Sequence, residues 1–179
     1  TPIARALVDM NRNPEQLPPE EEDGVIKDVT TYGTNVFKPG DEPDNALMRE
    51  LVEKYYMPFH QEIRDAVKRD GLVFALDCHS MAAVGPDLAK DAGKKRPMIC
   101  LGNAFGSTCP DEDLERLKSC FAKSFEVGEE EVSLNTPFAG GYIVRSYGNN
   151  PLPWVQVELS RAMYLAAPWF DRSTLTMEE

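Results

Sequence analysis

Histidine is nearly missing from this sequence: His60 and His79 are the only two among 179 residues. Any site that needs imidazole must use one of them. Cysteine is scarce and poorly spaced for a metal. Cys78, Cys100, Cys109 and Cys120 form no C-x-x-C pair, which argues against a thiolate zinc site. Cys78, Cys100 and Cys120 sit in apolar patterns, so buried free thiols in a reducing cytoplasm are expected rather than disulfides. Positive charge is in deficit. Nineteen Lys and Arg face thirty Asp and Glu, for a net charge of -11. That balance argues against nucleic acid and anionic membrane surfaces as partners. An anionic substrate must then be met by a local cluster of Arg or Lys. No run approaches the roughly 20 apolar residues of a membrane span, and no signal-peptide pattern opens the chain; a cytoplasmic location is the expectation. The glycines of Gly102-Asn103-Ala104-Phe105-Gly106-Ser107 match neither common phosphate-binding fingerprint. No internal repeat or second domain is visible.

What is present is the composition of an ordinary globular domain, 42% hydrophobic and 27% charged, and residues 1–179 read as a single α/β domain. One stretch organises it: Leu72-Val73-Phe74-Ala75-Leu76-Asp77-Cys78-His79-Ser80-Met81. An apolar run of this length, bounded by Gly71 and polar residues, predicts a strand buried on both faces in the middle of a sheet. Functional groups of open α/β sheets collect beyond the carboxyl ends of strands. Asp77, His79 and Ser80 fall there. His79 is thus a candidate metal ligand or general base; the plain alternative is a strand-end His bonded to a neighbouring carbonyl.

Other segments follow the same logic. Ala4 to Met10 reads as a strand ending in Asn11-Arg12-Asn13-Pro14, where Arg12 offers a planar fork suited to a carboxylate. A strand with so little lead-in suggests a fragment of a longer protein that lacks N-terminal strands. Residues 15–44, rich in Pro, Gly and acids, read as a long loop of the kind that covers binding sites. Leu47, Leu51, Tyr55, Phe59, Ile63 and Val67 recur every four residues and predict a helix from Asp44 towards Gly71. Pro58 should kink it near Lys54 and Tyr55. His60 lies off the apolar stripe, either as a structural His or facing substrate. Strands are predicted at 97–102, 132–134 and 154–159, a helix at 111–125, and a strand or hairpin arm at 142–148 carrying Arg145. Trp154 to Leu159 alternates apolar residues with Gln156 and Glu158, which places Glu158 at a strand's carboxyl end or on an exposed face. Ser160 can cap a short final helix that includes Arg161.

Brought together, these strand ends would combine a metal-ligand His, a carboxylate, and two or three guanidinium groups. That equipment suits hydrolysis of an amide in a carboxylate-bearing substrate.

The pieces Asp9–Pro14 (DMNRNP), Tyr55–His60 (YYMPFH), Asp77–Met81 (DCHSM), Asn135–Gly148 (NTPFAGGYIVRSYG) and Gln156–Leu165 (QVELSRAMYL) resemble the N-formylglutamate amidohydrolase family, in that order. The resemblance implies a three-layer α/β/α fold with a mixed, mostly parallel sheet, similar to zinc exopeptidases and aspartoacylase-like deacylases, with a zinc ion. By position, it implies His79 as a zinc ligand and Glu158 as general base. It places Asn11 and Arg12 on a substrate carboxylate, with Arg145, His60 and Arg161 as further pocket residues. The expected substrate is a small acidic molecule such as N-formyl-L-glutamate. One departure stands out. Relatives carry a His and an acidic ligand before the first of these motifs, whereas a catalytic zinc needs three protein ligands and this sequence can offer only His79, His60 and a carboxylate such as Asp77. A carboxypeptidase-like peptidase and a non-catalytic binding relative are the alternative readings. Homo-oligomerisation is left open.

Overall fold

The longest helical region begins where Asp44 accepts a hydrogen bond from the Leu47 amide and caps α1 (Asn45–Leu51). The computed structural model of the chain describes residues 3–165, together with the backbone of residues 170–171 and 176–177. Pro58 has no amide hydrogen for the fourth carbonyl back. The chain meets this with a π-helical turn at Val52–Tyr56, in which the Met57 amide reaches the Val52 carbonyl, and α2 (Met57–Ala66) starts with Pro58 in its first turn. The interruption lies where the proline predicts it. The buried face differs from the expected one by a single residue. Met48, Val52, Tyr56 and His60 are buried, while Leu47 and Met57 are exposed. A histidine can take a place in that row because both of its ring nitrogens find partners there.

After a turn at Gly71 (φ 84°), the sheet is built from β1 (Ala75–Met81), β2 (Ile99–Gly102), β3 (Val132–Leu134) and β4 (Trp154–Ser160), in the order β1-β4-β2-β3. β1 runs parallel to β4 and β2 parallel to β3, while β2 and β4 are antiparallel. The sheet is therefore mixed and mostly parallel, an α/β arrangement as expected. α3 (Asp111–Ser124), with three acids in its first turn, packs Leu114 and Ala122 on one face against Ile99, Leu101, Val132, Val155 and Val157. On the other face Trp154 packs with Ile143 and Val144 of α4 (Tyr142–Tyr147) and with Phe59 and Ile63 of α2. A short 3₁₀ turn, Arg161–Met163, follows β4, and its Ala162 amide donates to the Ser160 hydroxyl. Two short antiparallel strands, β5 (Phe170–Asp171) and β6 (Thr176–Met177), pair near the end. No helix among the described residues is long and apolar enough to cross a membrane.

Three expectations are corrected. The apolar run beginning at Leu72 is not a doubly buried central strand. β1 starts at Ala75 and pairs with β4 on one side only among the described residues, with Leu76 43% and Val73 80% exposed. The doubly buried strand is β4, despite its polar alternation, because Gln156 and Glu158 are themselves buried. Residues 4–10 form no strand. A turn at 5–7 leads into Val8 to Asn11, which are buried as irregular chain fixed by the Asp9 amide donating to the Val25 carbonyl. Tyr142–Tyr147 is a helix rather than a hairpin arm. Its alternating pattern also suits a six-residue helix that buries only Ile143 and Val144. Residues 15–44 form the expected long loop, held by isolated bridges at Asp23/Lys27 and Val29/Asn35.

Candidate active site

Side chains alternate along a strand, so the face that carries Trp154 also carries Gln156 and Glu158. Their register partners on β1 are Ala75, Asp77 and His79. Asp77, His79, Gln156 and Glu158 thus share the face opposite α3, with His79 directly beside Glu158 at the strand spacing of about 4.8 Å. Next along the sheet, the same face of β2 presents Cys100 opposite Glu158 and Gly102 opposite Gln156. Both accept the loop at residues 135–141. The Cys100 thiol donates to the Thr136 and Phe138 carbonyls at 3.2 and 3.4 Å. A Cβ on Gly102 would come within 2.6–2.7 Å of Ala139 and Phe138 backbone atoms, so only glycine lets the loop lie this close.

The loop then reaches the polar group. The Gly141 amide donates to Gln156 Oε1 at 2.6 Å, and Gln156 Nε2 donates to Glu158 Oε1 at 3.0 Å. Gln156 therefore fixes its own amide orientation and aims one N–H at the Glu158 carboxylate. Asn11 enters from the irregular N-terminal segment. Its Oδ1 accepts from the Ile143 amide at 2.8 Å, which turns Nδ2 towards β1. Nδ2 lies 3.4 Å from Asp77 Oδ2 and 3.1 Å from His79 Nε2. His79 Nε2 is 2.9 Å from the same Asp77 oxygen. One ring nitrogen cannot donate to Asp77 and accept from Asn11 together. With the proton on Nε2, His79 and Asn11 both donate to Asp77, and Nδ1 is the ring atom left for a metal or a substrate.

Electrostatics follow the same geometry. Burial alone would lower the His79 pKa, but the hydrogen bond and charge of Asp77, with the charge of Glu158, raise it. Burial raises the Glu158 pKa above the ordinary carboxylate range, tempered by the charges of His79 and Arg5 and by the Gln156 hydrogen bond. Beneath Asn11 lies an ion network. Asp9 is buried, with its Oδ1 accepting the Asn11 amide at 3.0 Å and its Oδ2 beside Arg5 Nε (2.7 Å), Lys27 Nζ (3.0 Å) and Arg12 (3.8 Å). Burial opposes ionisation of Asp9, and the three cations outweigh it, so its pKa is lowered.

The expected residues divide into two groups. Asn11, His79 and Glu158 come together. Arg12 is adjacent, but its fork is engaged: Nε donates to the Asp23 carbonyl, NH2 to the Asp23 carboxylate at 2.6 Å and NH1 to the Asn11 carbonyl. Arg145 lies exposed on α4 with Nε on the Gly140 carbonyl, and Arg161 reaches the Ser80 carbonyl at 3.5 Å. Neither is hydrogen-bonded to the Asn11–Asp77–His79 group. His60 is fully buried, with Nε2 on the Met10 carbonyl and Nδ1 on the Tyr147 hydroxyl. Gln156, Asp9 and Lys27 were not singled out from sequence. The i, i+2 spacing of Gln156 and Glu158 was the available signal for Gln156; the ion network runs from Arg5 to Lys27 along irregular chain and leaves no periodic trace. As for zinc, no three His, Cys, Asp or Glu side chains among the described residues converge to hold a metal ion. His79 is oriented by Asp77 as a ligating histidine would be, but these residues do not make a complete three-ligand site.

Comparison with known proteins adds identity to this geometry. A sequence model of the N-formylglutamate amidohydrolase family matches residues 1–165. An N-formylglutamate deformylase of Pseudomonas putida is 28% identical over 170 residues, which cover 90% of this chain and 61% of that protein. The crystal structure of an N-formylglutamate amidohydrolase from Ralstonia eutropha superposes with a TM-score of 0.70 at 21% identity, over 98% of this chain and 66% of the other. The chain spans about three fifths of the length of the curated relative that it matches.

Proposed function

The chain belongs to the N-formylglutamate amidohydrolase family, and from that premise we propose that its site hydrolyses the amide of an N-acyl amino acid of acidic character, such as N-formyl-L-glutamate, to formate and glutamate. The observation that carries this reading is the register of His79 beside Glu158 on one sheet face, with Asn11 bonded across to the His79–Asp77 pair.

In this reaction a water oxygen bonds to the formyl carbon and the carbon–nitrogen bond breaks. Glu158 takes the proton that the water gives up and returns it to the leaving nitrogen. A carboxylate with a raised pKa is suited to both roles, since it binds a proton more readily than an exposed Glu and still releases it. Asn11 and Arg12 hold a substrate carboxylate, which replaces Asp23 on the Arg12 fork. His79, held by Asp77, faces the reacting carbonyl. The family resemblance implies zinc, which when bound would polarise that carbonyl; His79 is the donor oriented for it.

The test is formate release from N-formyl-L-glutamate, set against a panel of short peptides and other N-acyl amino acids. Preference for the acidic formyl compound supports the proposal. Cleavage of peptides alone would move the chain to a carboxypeptidase-like activity, and tight binding without turnover would mark a ligand-binding relative.

A further inference from the structure

Asn11 has no regular secondary structure to hold it, yet it makes the contact that joins the N-terminal segment to β1. Its backbone is gripped on both sides from one helix. The Tyr56 hydroxyl donates to the Arg12 carbonyl at 2.8 Å, one residue after Asn11. His60 Nε2 lies 2.9 Å from the Met10 carbonyl, one residue before it. A carbonyl only accepts, so Nε2 carries the proton. The neutral ring, favoured by burial, then leaves Nδ1 to accept from the Tyr147 hydroxyl at 2.8 Å. Tyr56 and His60 are four residues apart on one helical face, and their rings stack with centroids 4.1 Å apart. Tyr56 is the last residue of the π-helical turn, so the irregular turn and the grip share a position.

We infer that Tyr56 and His60 form a clamp on the Met10 and Arg12 carbonyls that sets the position of the Asn11 amide, and that both are positioning residues for the substrate-holding end of the site. Three features support this beyond simple packing. Both donors meet main-chain acceptors that flank one residue. The Asn11 amide group is itself fixed by the Ile143 N–H, so a backbone shift cannot be absorbed by rotating the side chain. Gly141 packs so closely on the Asn11 amide that a Cβ there would overlap it, which leaves little room for a displaced amide. Tyr147 and Ile143 both come from α4, so one short helix supports both the His60 ring and the Asn11 side chain. The clamp places His60 in the site's support rather than in contact with substrate.

The inference rests on the proposed function only in taking Asn11 as a substrate ligand, and two readouts separate them. The first is the side-chain amide resonance of Asn11, followed by NMR in 15N-labelled chain. The second is KM and kcat with N-formyl-L-glutamate. Tyr56→Phe removes one hydroxyl and keeps the ring; His60→Leu removes the donor; His60→Gln keeps an N–H for the Met10 carbonyl. We expect Tyr56→Phe and His60→Leu to shift the Asn11 resonance and raise KM about three- to tenfold with kcat little changed, and His60→Gln to restore most of both. If His60→Leu does not fold, Tyr56→Phe carries the test. No turnover by the wild-type chain with a shifted Asn11 resonance in Tyr56→Phe keeps the clamp and removes the substrate reading. An unmoved Asn11 resonance in Tyr56→Phe, even with a lowered melting temperature, overturns the clamp in favour of a purely structural role.

Discussion

His79 and Glu158 stand as direct register partners across the parallel pair β1–β4, on the sheet face turned away from α3. One is drawn towards the protonated state by Asp77 and the other by burial. Their neighbours Asp77 and Gln156, also register partners, each hydrogen-bond to one of them. Two neighbouring rungs on one sheet face thus hold a carboxylate, a histidine and the group that orients each.

Gln156 tunes Glu158. Its N–H on Oε1 favours the charged carboxylate, so it works against burial. Gln156→Met removes that bond at similar volume. The Glu158 pKa then rises further, and the acid limb of the kcat/KM–pH profile moves to higher pH. An acid limb at the wild-type position would show that the limb belongs to another group.

Asp9 holds the N-terminal segment by charge. Replacing it with Asn takes their shared carboxylate from Arg5 and the buried Lys27; Lys27 keeps Asp23 and Arg5 is half-exposed, so the cost falls below the about 3–5 kcal/mol of a buried charge left without a partner. We expect Asp9→Asn to lower the denaturant midpoint accordingly. The sign with pH is also set. The folded-state pKa of Asp9 is lowered, so its contribution is present above the unfolded carboxylate value and is lost as pH falls through the folded one. Wild-type stability should fall across the acid range more steeply than that of Asp9→Asn; parallel curves would contradict the network.

Two glycines separate packing from function. Gly102→Ala drives a methyl into the Ala139 and Phe138 backbone and should destabilise by about 1–3 kcal/mol, as overpacking does. Gly141→Ala meets the Asn11 amide instead. If Asn11 holds substrate as proposed, its main effect should be on kcat/KM, down by about 100-fold, the order expected when such a group is displaced by an ångström. Thermal melting and steady-state kinetics on the two variants distinguish these outcomes.

Much of this was legible in the sequence. The Pro58 interruption, α3, β2 and β3 follow from proline chemistry and from helical and strand periods; the meeting of Asn11, His79 and Glu158 does not follow from strand ends, since residues 4–10 form no strand and His79 and Glu158 lie inside β1 and β4. Neighbour-dependent features were not. Leu72 to Asp77 is apolar enough for a central strand, but β1 has β4 on one side only among the described residues. The polar alternation of β4 suggested an exposed face. Gln156 and Glu158 escape that rule because the Gly141 amide and Gln156 itself satisfy buried oxygens. His60 lay off the predicted stripe because the buried row runs one residue further on, through Met48, Val52 and Tyr56. Its partners Met10 and Tyr147 are 50 and 87 residues away, beyond any local pattern.

The most direct test of the account is formate release from N-formyl-L-glutamate by this chain and by Glu158→Gln, with folding checked by circular dichroism. Turnover by the native chain is expected, with a loss of about 100- to 10,000-fold in the variant, the usual contribution of a general base, and the fold unchanged. Turnover by Glu158→Gln at the native rate would contradict it, because the carboxylate beside His79 would then take no part in the reaction.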